Sequence, residues 1–369
     1  MSGITGVIMR PTDPWIRTVL LNLFVLLAGI GLLVVGPVVA DASYQALRGL
    51  TLPSYPDPGP EPQATYRDFT IWRMEPFSSN SVNIDANGLR RTLGASTGTN
   101  PVWMFGGSAM WGSGVTDLET IPSHFANLTG RATTNFGESG YIARQSLNLL
   151  QEAFATRDST ERPDVVVFYD GANEVEIRCR RTNDGFDASR RDQIAEALEL
   201  ELPEDLSLRS LTRPATAFIK KYGGRLREKL NEPADPDVDR YGCHDDPAKA
   251  ALVARAVVED WTSTAAISQS RGADFLAVLQ PITYLSATPT DTLDIHGDYR
   301  QGLAEQFMVV YPLIRKAAKE AEIDFLDLTT LLDGPASHYT DFVHLDSSGN
   351  EMVAQAISKY LGTADIGNH

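Results

Sequence analysis

From residue 101 onward, short apolar runs alternate with longer stretches that carry a helical period. The apolar runs predict five β-strands, at Val102–Phe105, Thr133–Phe136, Val165–Tyr169, Phe275–Leu279 and Ile323–Leu328. The stretches between and after them predict helices at Ala143–Thr156, Lys249–Gln269, Tyr299–Glu320 and Asn350–Leu361. Such alternation is typical of an α/β protein in which helices cover both faces of a parallel sheet. Functional groups of these proteins lie beyond the carboxyl ends of the strands.

One long segment interrupts this alternation. From about Glu174 to Pro247 there is no convincing strand, and helical patterns occur near Ser189–Leu200 and Ser207–Leu230. We interpret the segment as a helical, lid-like insertion. Cys179 and Cys243, the only two cysteines, lie at its ends, so in an oxidising compartment a disulfide would close its base. Two unpaired buried cysteines are the alternative.

The N-terminal region contains an uncharged run from Thr18 to Ala40, which is long enough as a helix to cross a bilayer core of about 30 Å. We predict an uncleaved membrane anchor at 18–40. A cleaved signal peptide ending near Ala40 is the main alternative, although the run exceeds the roughly 7–15 residues of a signal's apolar region. A buried core helix is a further alternative. Arg10 and Arg17 precede the run, so residues 1–17 are expected in the cytoplasm and the rest outside.

A proline-rich segment follows the predicted anchor. Prolines recur between Thr51 and Gln63, which favours an extended polyproline conformation. We interpret residues 41–63 as a stalk, with an ordered strap on the domain surface as the alternative, and residues 64–369 as the folded domain. The stretch Tyr66–Thr92 predicts extended segments with a turn at Asn87-Gly88.

Composition narrows the possible partners and cofactors. The formal net charge is -16 and the sequence pI is about 4.8, which argues against nucleic-acid binding because the phosphate backbone must be neutralised by Lys and Arg. Neither cysteine belongs to a zinc-like spacing. We therefore expect neither a metal nor another cofactor.

Candidate catalytic residues follow the first strand and the last. Ser108 comes directly after two glycines at the end of the first predicted strand, and Asp341 and His344 are three residues apart near the C-terminus. A serine hydroxyl needs a base to take its proton, and a carboxylate can orient the imidazole that does so. We predict Ser108 as nucleophile, His344 as base and Asp341 as its orienter. The G-x-S-x-G elbow of α/β-hydrolases is missing because position 110 is Met110.

Acyl transfer also requires hydrogen-bond donors for the oxyanion. The natural set is the Ser108 N–H, the Gly140 N–H and the Asn173 side-chain amide, since each comes just after a predicted strand. Gly137 is the alternative to Gly140. Other residues that could replace the predicted acid and base are His338, Asp333 and Asp346, whereas Ser113 reads as a turn residue.

Four short motifs in this order resemble blocks I, II, III and V of the SGNH hydrolases, also called the GDSL family. They are Gly107-Ser108 with Trp111-Gly112, Asn135-Phe-Gly-Glu-Ser-Gly140, Gly171-Ala-Asn173 and Asp341-Phe-Val-His344. Block I reads Gly-Gly-Ser rather than Gly-Asp-Ser, and block III ends in Glu174 where many members carry Asp. The resemblance implies a flavodoxin-like three-layer α/β/α fold with the nucleophile, oxyanion hole and triad assigned above.

The function expected from this resemblance is that of an esterase, and the predicted anchor places it outside the cytoplasmic membrane. Its substrate would be an acyl ester, such as the O-acetyl ester of a saccharide, or a small ester. An O-acyltransferase that passes the same acyl group to a sugar hydroxyl is the first alternative. A catalytically silent binding module is the second. The sequence does not indicate an oligomeric state.

Overall fold

The computed structural model describes residues 61–94, 99–158, 161–181, 240–290 and 302–363, with the single positions Asn22 and Leu293. All of these except Asn22 belong to one unit that comprises Pro53–Glu201 and Asp237–His369. Three predicted segments lie outside the described residues. They are the anchor at 18–40 except for Asn22, most of the stalk, and both insertion helices. Within the described part of the chain, none of the helices combines the length and apolarity that a membrane crossing requires.

Two small antiparallel pairs precede the central sheet. β1 (Ala64–Arg67) pairs with β2 (Ile71–Met74), and β3 (Phe77–Ser78) pairs with β4 (Asn83–Ile84). These pairs confirm the extended segments predicted for this stretch. The end of the predicted stalk packs onto the first pair, because Pro62 is buried and the Gln63 carbonyl accepts a hydrogen bond of 2.7 Å from the Glu75 N–H.

Five parallel strands form the central sheet. In chain order they are β5 (Val102–Gly106), β6 (Thr133–Asn135), β7 (Val165–Asp170), β8 (Asp274–Leu279) and β9 (Phe325–Asp327). Their spatial order is β6-β5-β7-β8-β9, and every neighbouring pair is parallel. Counted among these five strands, the order is 2-1-3-4-5, which is that of flavodoxin-like doubly wound sheets. The predicted parallel sheet is confirmed, with strand ends shifted by one or two residues.

Seven α-helices are described. They are α1 (Ser108–Trp111), α2 (Ile121–Thr129), α3 (Ala143–Thr156), α4 (Ala172–Arg178), α5 (Pro247–Ser270), α6 (Leu303–Glu320) and α7 (Ser347–Thr363). α3 has the predicted bounds, and the long helices α5, α6 and α7 each overlap a predicted one. α5 begins at the side chain of Asp246, which accepts hydrogen bonds from the N–H groups of Ala248 and Lys249.

The side chains of the central strands alternate between two apolar layers. Trp103 and Phe105 point into a cluster formed with α3, α5 and α6. Val102 and Met104 belong to a second cluster, formed with α2 and α7. Helices therefore cover the sheet on both sides, and the carboxyl ends of the strands are left to form the site.

The predicted disulfide between Cys179 and Cys243 is present. Both cysteines are buried, and the Gly242 N–H donates to the Cys179 carbonyl at 2.8 Å. The bridge closes a loop with a sequence separation of 64. On a chain-entropy model, a closure of this length stabilises the fold by about 4 kcal/mol. The bridge thus fixes the base of the insertion at the end of α4, close in sequence to Asn173.

Candidate active site

Three predicted catalytic residues form one chain of hydrogen bonds at the carboxyl edge of the sheet. Ser108 is the first residue of α1, while Asp341 and His344 lie in the loop between β9 and α7. His344 Nε2 lies 2.7 Å from Ser108 Oγ, and His344 Nδ1 lies 2.7 Å from Asp341 Oδ2. An ionised carboxylate can only accept, so Nδ1 carries the proton and Nε2 accepts from the serine hydroxyl. This is the arrangement in which imidazole can take the serine proton.

The carboxyl of Asp341 is held in its ionised form, which the Nδ1-protonated tautomer of His344 requires. Burial alone would raise the pKa of its carboxyl, but the hydrogen bond from His344 and the positive charge that the imidazole carries once protonated outweigh burial and hold the pKa well below its usual range. Its Oδ1 also accepts hydrogen bonds of 2.8 Å from the backbone N–H groups of Val343 and His344. The same carboxylate therefore shapes the loop and orients the imidazole.

The turn that carries Ser108 is packed closely on both sides. A Cβ added to Gly107 would lie 2.4 Å from Asn173 Nδ2, so only glycine allows this amide to approach the nucleophile's neighbour. On the other side of α1, the buried guanidinium of Arg90 donates to the carbonyls of Trp111, Gly112 and Val115. These bonds hold the end of the short helix that begins with Ser108.

The three predicted oxyanion donors lie next to one another in the fold. The Ser108 N–H opens α1 and so has no partner within that helix. The Asn173 side-chain amide donates a hydrogen bond of 2.8 Å to the carbonyl of Tyr141, the residue after Gly140. The amide of Asn173 is thus fixed between Gly107, which precedes the nucleophile, and Tyr141. Among the described residues, no acceptor binds its second N–H.

Gly140 and the alternative, Gly137, differ in the contacts that their N–H groups make. The Gly137 N–H donates to Asn135 Oδ1 at 2.8 Å, and a Cβ at this position would lie 2.4 Å from the Trp111 N atom. Gly137 therefore allows close packing against α1. Gly140 has a φ of +80°, and its N–H makes no hydrogen bond to another described residue.

The other acidic and basic candidates lie elsewhere. The carboxylate of Asp333 accepts hydrogen bonds from Ser286 Oγ at 3.0 Å and from the Ala287 N–H at 2.7 Å. His338 Nδ1 lies 3.4 Å from Asp346 Oδ1, which accepts a hydrogen bond from the Gly349 N–H at 2.7 Å. Ser113 donates its N–H to the Ser108 carbonyl at 3.0 Å, as a turn residue does.

Glu174 links the two segments that carry Gly140 and Asn173, a role that the sequence did not indicate. It is fully buried, with Oε1 2.5 Å from the Ala143 N–H and Oε2 2.9 Å from the Gly171 N–H. Burial raises the pKa of Glu174, while the charge of Arg178 and these N–H groups oppose the rise. Its extra methylene relative to aspartate gives a longer reach between the two segments.

Glu138, also missed at the sequence level, lies within the loop that presents Gly140. Its side chain is buried, with Oε2 3.3 Å from the Met74 N–H and 3.7 Å from Arg73 Nε. Burial raises the pKa of the Glu138 carboxyl to about 7, and Arg73 and the Met74 N–H limit the rise. The only sequence signal was its place in the second motif.

Comparison with known proteins gives matches of structure alone. No protein-family model matches the chain, and no curated protein matches it. Solved structures similar to it include a member of the lipolytic protein G-D-S-L family from Veillonella parvula (12% identity, TM-score 0.40, covering 72% of this chain and 99% of that one). Another is a carbohydrate acetylesterase from Sinorhizobium meliloti (13% identity, TM-score 0.41, covering 72% of this chain and 99% of that one). A third is a mutant acetyl-xylooligosaccharide esterase from Geobacillus stearmophilus (12% identity, TM-score 0.37, covering 74% of this chain and 100% of that one). At these identities and TM-scores, any assignment depends on the chain's own motifs and geometry.

The buried Glu138 carboxyl predicts a pH-dependent stability. Because its folded-state pKa lies above that of an unfolded glutamate, the contribution of Glu138 to stability is fully present below the unfolded pKa and is lost as pH rises through about 7. Glu138→Gln removes this loss. The difference in free energy of unfolding between the variant and wild type should therefore shift in favour of the variant by on the order of 2 kcal/mol from pH 5 to pH 8. Denaturant unfolding at both pH values measures the change.

Glu75→Gln, which alters an exposed carboxyl next to β2, is the control for removing a charge from this region. If Glu138→Gln and wild type differ by the same amount at pH 5 and pH 8, the carboxyl does not titrate in this range.

Proposed function

We propose that this chain is an SGNH-type serine hydrolase that cleaves acyl esters. The observation that carries the proposal is the hydrogen-bonded series from Ser108 Oγ through His344 to Asp341. It is supported by the glycine and amide donors on the neighbouring loops. A catalytically silent binding module has no chemical need for this aligned set.

The geometry suggests the usual two steps of a serine esterase. His344 Nε2 takes the Ser108 proton as Oγ attacks the ester carbonyl carbon, and the N–H groups of Ser108, Gly140 and Asn173 stabilise the resulting oxyanion. The intermediate collapses, and the protonated His344 delivers its proton to the leaving alcohol. Water, activated by the same imidazole, then attacks the acyl-enzyme and releases the acid and free Ser108.

We assign the substrate to O-acetyl esters of saccharides or to small esters, following the motif resemblance. A sugar hydroxyl in place of water in the second step would make the same site an O-acyltransferase. Neither route needs a metal or cofactor.

We also propose that the catalytic domain lies outside the cytoplasmic membrane, anchored through residues 18–40. The Cys179–Cys243 bridge supports this placement, because disulfides persist in oxidising compartments. The uncharged run and the preceding arginines support the orientation.

The first prediction from this proposal concerns the coupling of nucleophile and base. Ser108→Ala and His344→Ala should each remove nearly all esterase activity, and the double variant should lose little more, because the two residues act in one step. Asp341→Asn should keep the fold but lower kcat by misorienting the imidazole. Steady-state kinetics on p-nitrophenyl acetate measure all four variants.

Ser113→Ala, in the turn after α1, is the matched serine control and should retain activity. Losses that simply add in the double variant would mean that Ser108 and His344 do not share a step.

A second prediction separates hydrolysis from transfer. With an acetylated glycan as donor, an esterase should release acetate at a rate that an added sugar acceptor leaves unchanged. Mass spectrometry of the acceptor and an acetate assay in the same reaction measure both products. Acetyl transfer to the acceptor with little free acetate would favour the transferase, and neither product from any ester would count against the proposed chemistry.

A third prediction concerns topology. Protease added to intact spheroplasts should digest the domain while leaving a fragment that contains residues 1–17 and the anchor protected. Immunoblotting with tags at the two ends measures this. Protection of the whole domain, or a mature N-terminus at Asp41, would contradict the anchored, outward-facing arrangement.

A further inference from the structure

We propose that the β1–β2 hairpin positions the Gly140 N–H for catalysis, and that Trp72 is the positioning residue. This inference rests on the proposed esterase function. The hairpin precedes all four family-like motifs and was interpreted from the sequence only as an extended lead-in to the domain. Its contacts with the loop 138–141 indicate a more specific role.

Trp72 makes polar contacts on both sides of Gly140. Its indole Nε1 donates to the Ser139 carbonyl at 3.1 Å, and its own carbonyl accepts a hydrogen bond from the Tyr141 hydroxyl. The residue before the glycine and the residue after it are thus both bound to one residue of β2. Rotation of the peptide that carries the Gly140 N–H would have to break at least one of these bonds.

The indole also packs directly against the glycine. Gly140 has a φ of +80°, and a Cβ there would lie 3.3 Å from Trp72 Cζ2. The Trp72 and Tyr141 rings meet edge to face, with centroids 5.3 Å apart and an interplanar angle of 76°. Van der Waals contact therefore adds to the polar contacts in fixing the loop.

Further bonds hold the hairpin itself in register with this loop. Glu138 Oε2 accepts from the Met74 N–H at 3.3 Å, and Gln145 Nε2 donates to the Thr70 carbonyl at 3.2 Å. The hairpin is attached before, at and after Trp72, so a displacement of Trp72 relative to the loop is resisted along its length.

The contacts continue from the loop to the second oxyanion donor. The Tyr141 carbonyl accepts from Asn173 Nδ2 at 2.8 Å, while the Tyr141 hydroxyl donates to Trp72. One residue of the hairpin is thereby linked to the positions of both the Gly140 and the Asn173 donors. Donors must lie about 2.7–3.1 Å from the oxyanion to act, so small displacements are costly.

The test is Trp72→Phe, which removes the indole N–H but keeps an aromatic ring and the backbone carbonyl. We expect kcat for p-nitrophenyl acetate to fall roughly 10- to 100-fold, with KM within about twofold of wild type, because the donors act on the transition state. Affinity for a trifluoromethyl ketone, whose adduct with Ser108 carries the oxyanion, should fall by a similar factor. A merely structural residue would lower the melting temperature without this match between kcat and inhibitor affinity.

Tyr141→Phe is the second variant, because it removes the other bond while leaving Trp72 intact. It should give the same kcat loss and unchanged KM, and the double variant should lose less than the product of the two. Phe69→Ala is the control: this side chain lies at the tip of the same hairpin and is 51% exposed, so its removal should leave kcat and inhibitor affinity unchanged.

Unchanged kcat in folded Trp72→Phe and Tyr141→Phe would overturn the proposal, as would a rise in KM alone, which would make Trp72 a substrate-binding wall. Equal losses in Phe69→Ala would also overturn it. If wild type itself neither cleaves esters nor binds the ketone at Ser108, the proposed function fails, and the positioning role fails with it.

Discussion

The hydrogen bond between His344 Nε2 and Ser108 Oγ joins two residues separated by 236 positions. Ser108 follows β5, the second strand from one edge of the sheet, whereas His344 follows β9 at the opposite edge. With strands about 4.8 Å apart, the loop after β9 must return across roughly 14 Å to reach the serine. The Phe342 carbonyl accepts the Thr283 N–H at 3.0 Å, which fixes this loop to the segment after β8. The site therefore depends on a sheet that brings all five carboxyl ends to one edge.

Buried carboxylates hold the loops at that edge. Glu174 and Glu138 each accept backbone N–H groups from another segment, and neither reaches solvent. Burying a carboxylate is unfavourable unless such partners compensate for the lost water. The two carboxylates thus hold the loops through hydrogen bonds, and they lose their own solvation in doing so. We infer that this cost is tolerated because the loops must present N–H groups in one arrangement.

Much of the fold could be predicted because local patterns determine it. The apolar runs of β5, β7 and β8 and the helical period of α3 are signals within single segments, and all four appear where the sequence places them. Ser108, Gly140 and Asn173 could be chosen because each follows a strand, and the disulfide because the chain offers one pair of cysteines. Local patterns therefore gave the sheet and the candidates around it.

The supporting contacts could not be predicted because they join segments that are distant in sequence. Trp72 and Ser139 are separated by 67 positions, and Met74 and Glu138 are separated by 64. Arg90 and Gly112 are separated by 22 positions. No periodic pattern in the sequence marks such pairs. Glu174 drew notice only as a departure from a motif, since its bond to Ala143 depends on how α3 and α4 meet.

The central claim is that Ser108 is a nucleophile activated by His344, and covalent labelling tests it most directly. A fluorophosphonate probe followed by peptide mass spectrometry should place the adduct on Ser108 in wild type. His344→Ala should be labelled far more slowly, and Ser108→Ala should not be labelled at all. An adduct on another serine, or labelling of Ser108 that proceeds equally fast without His344, would contradict the account.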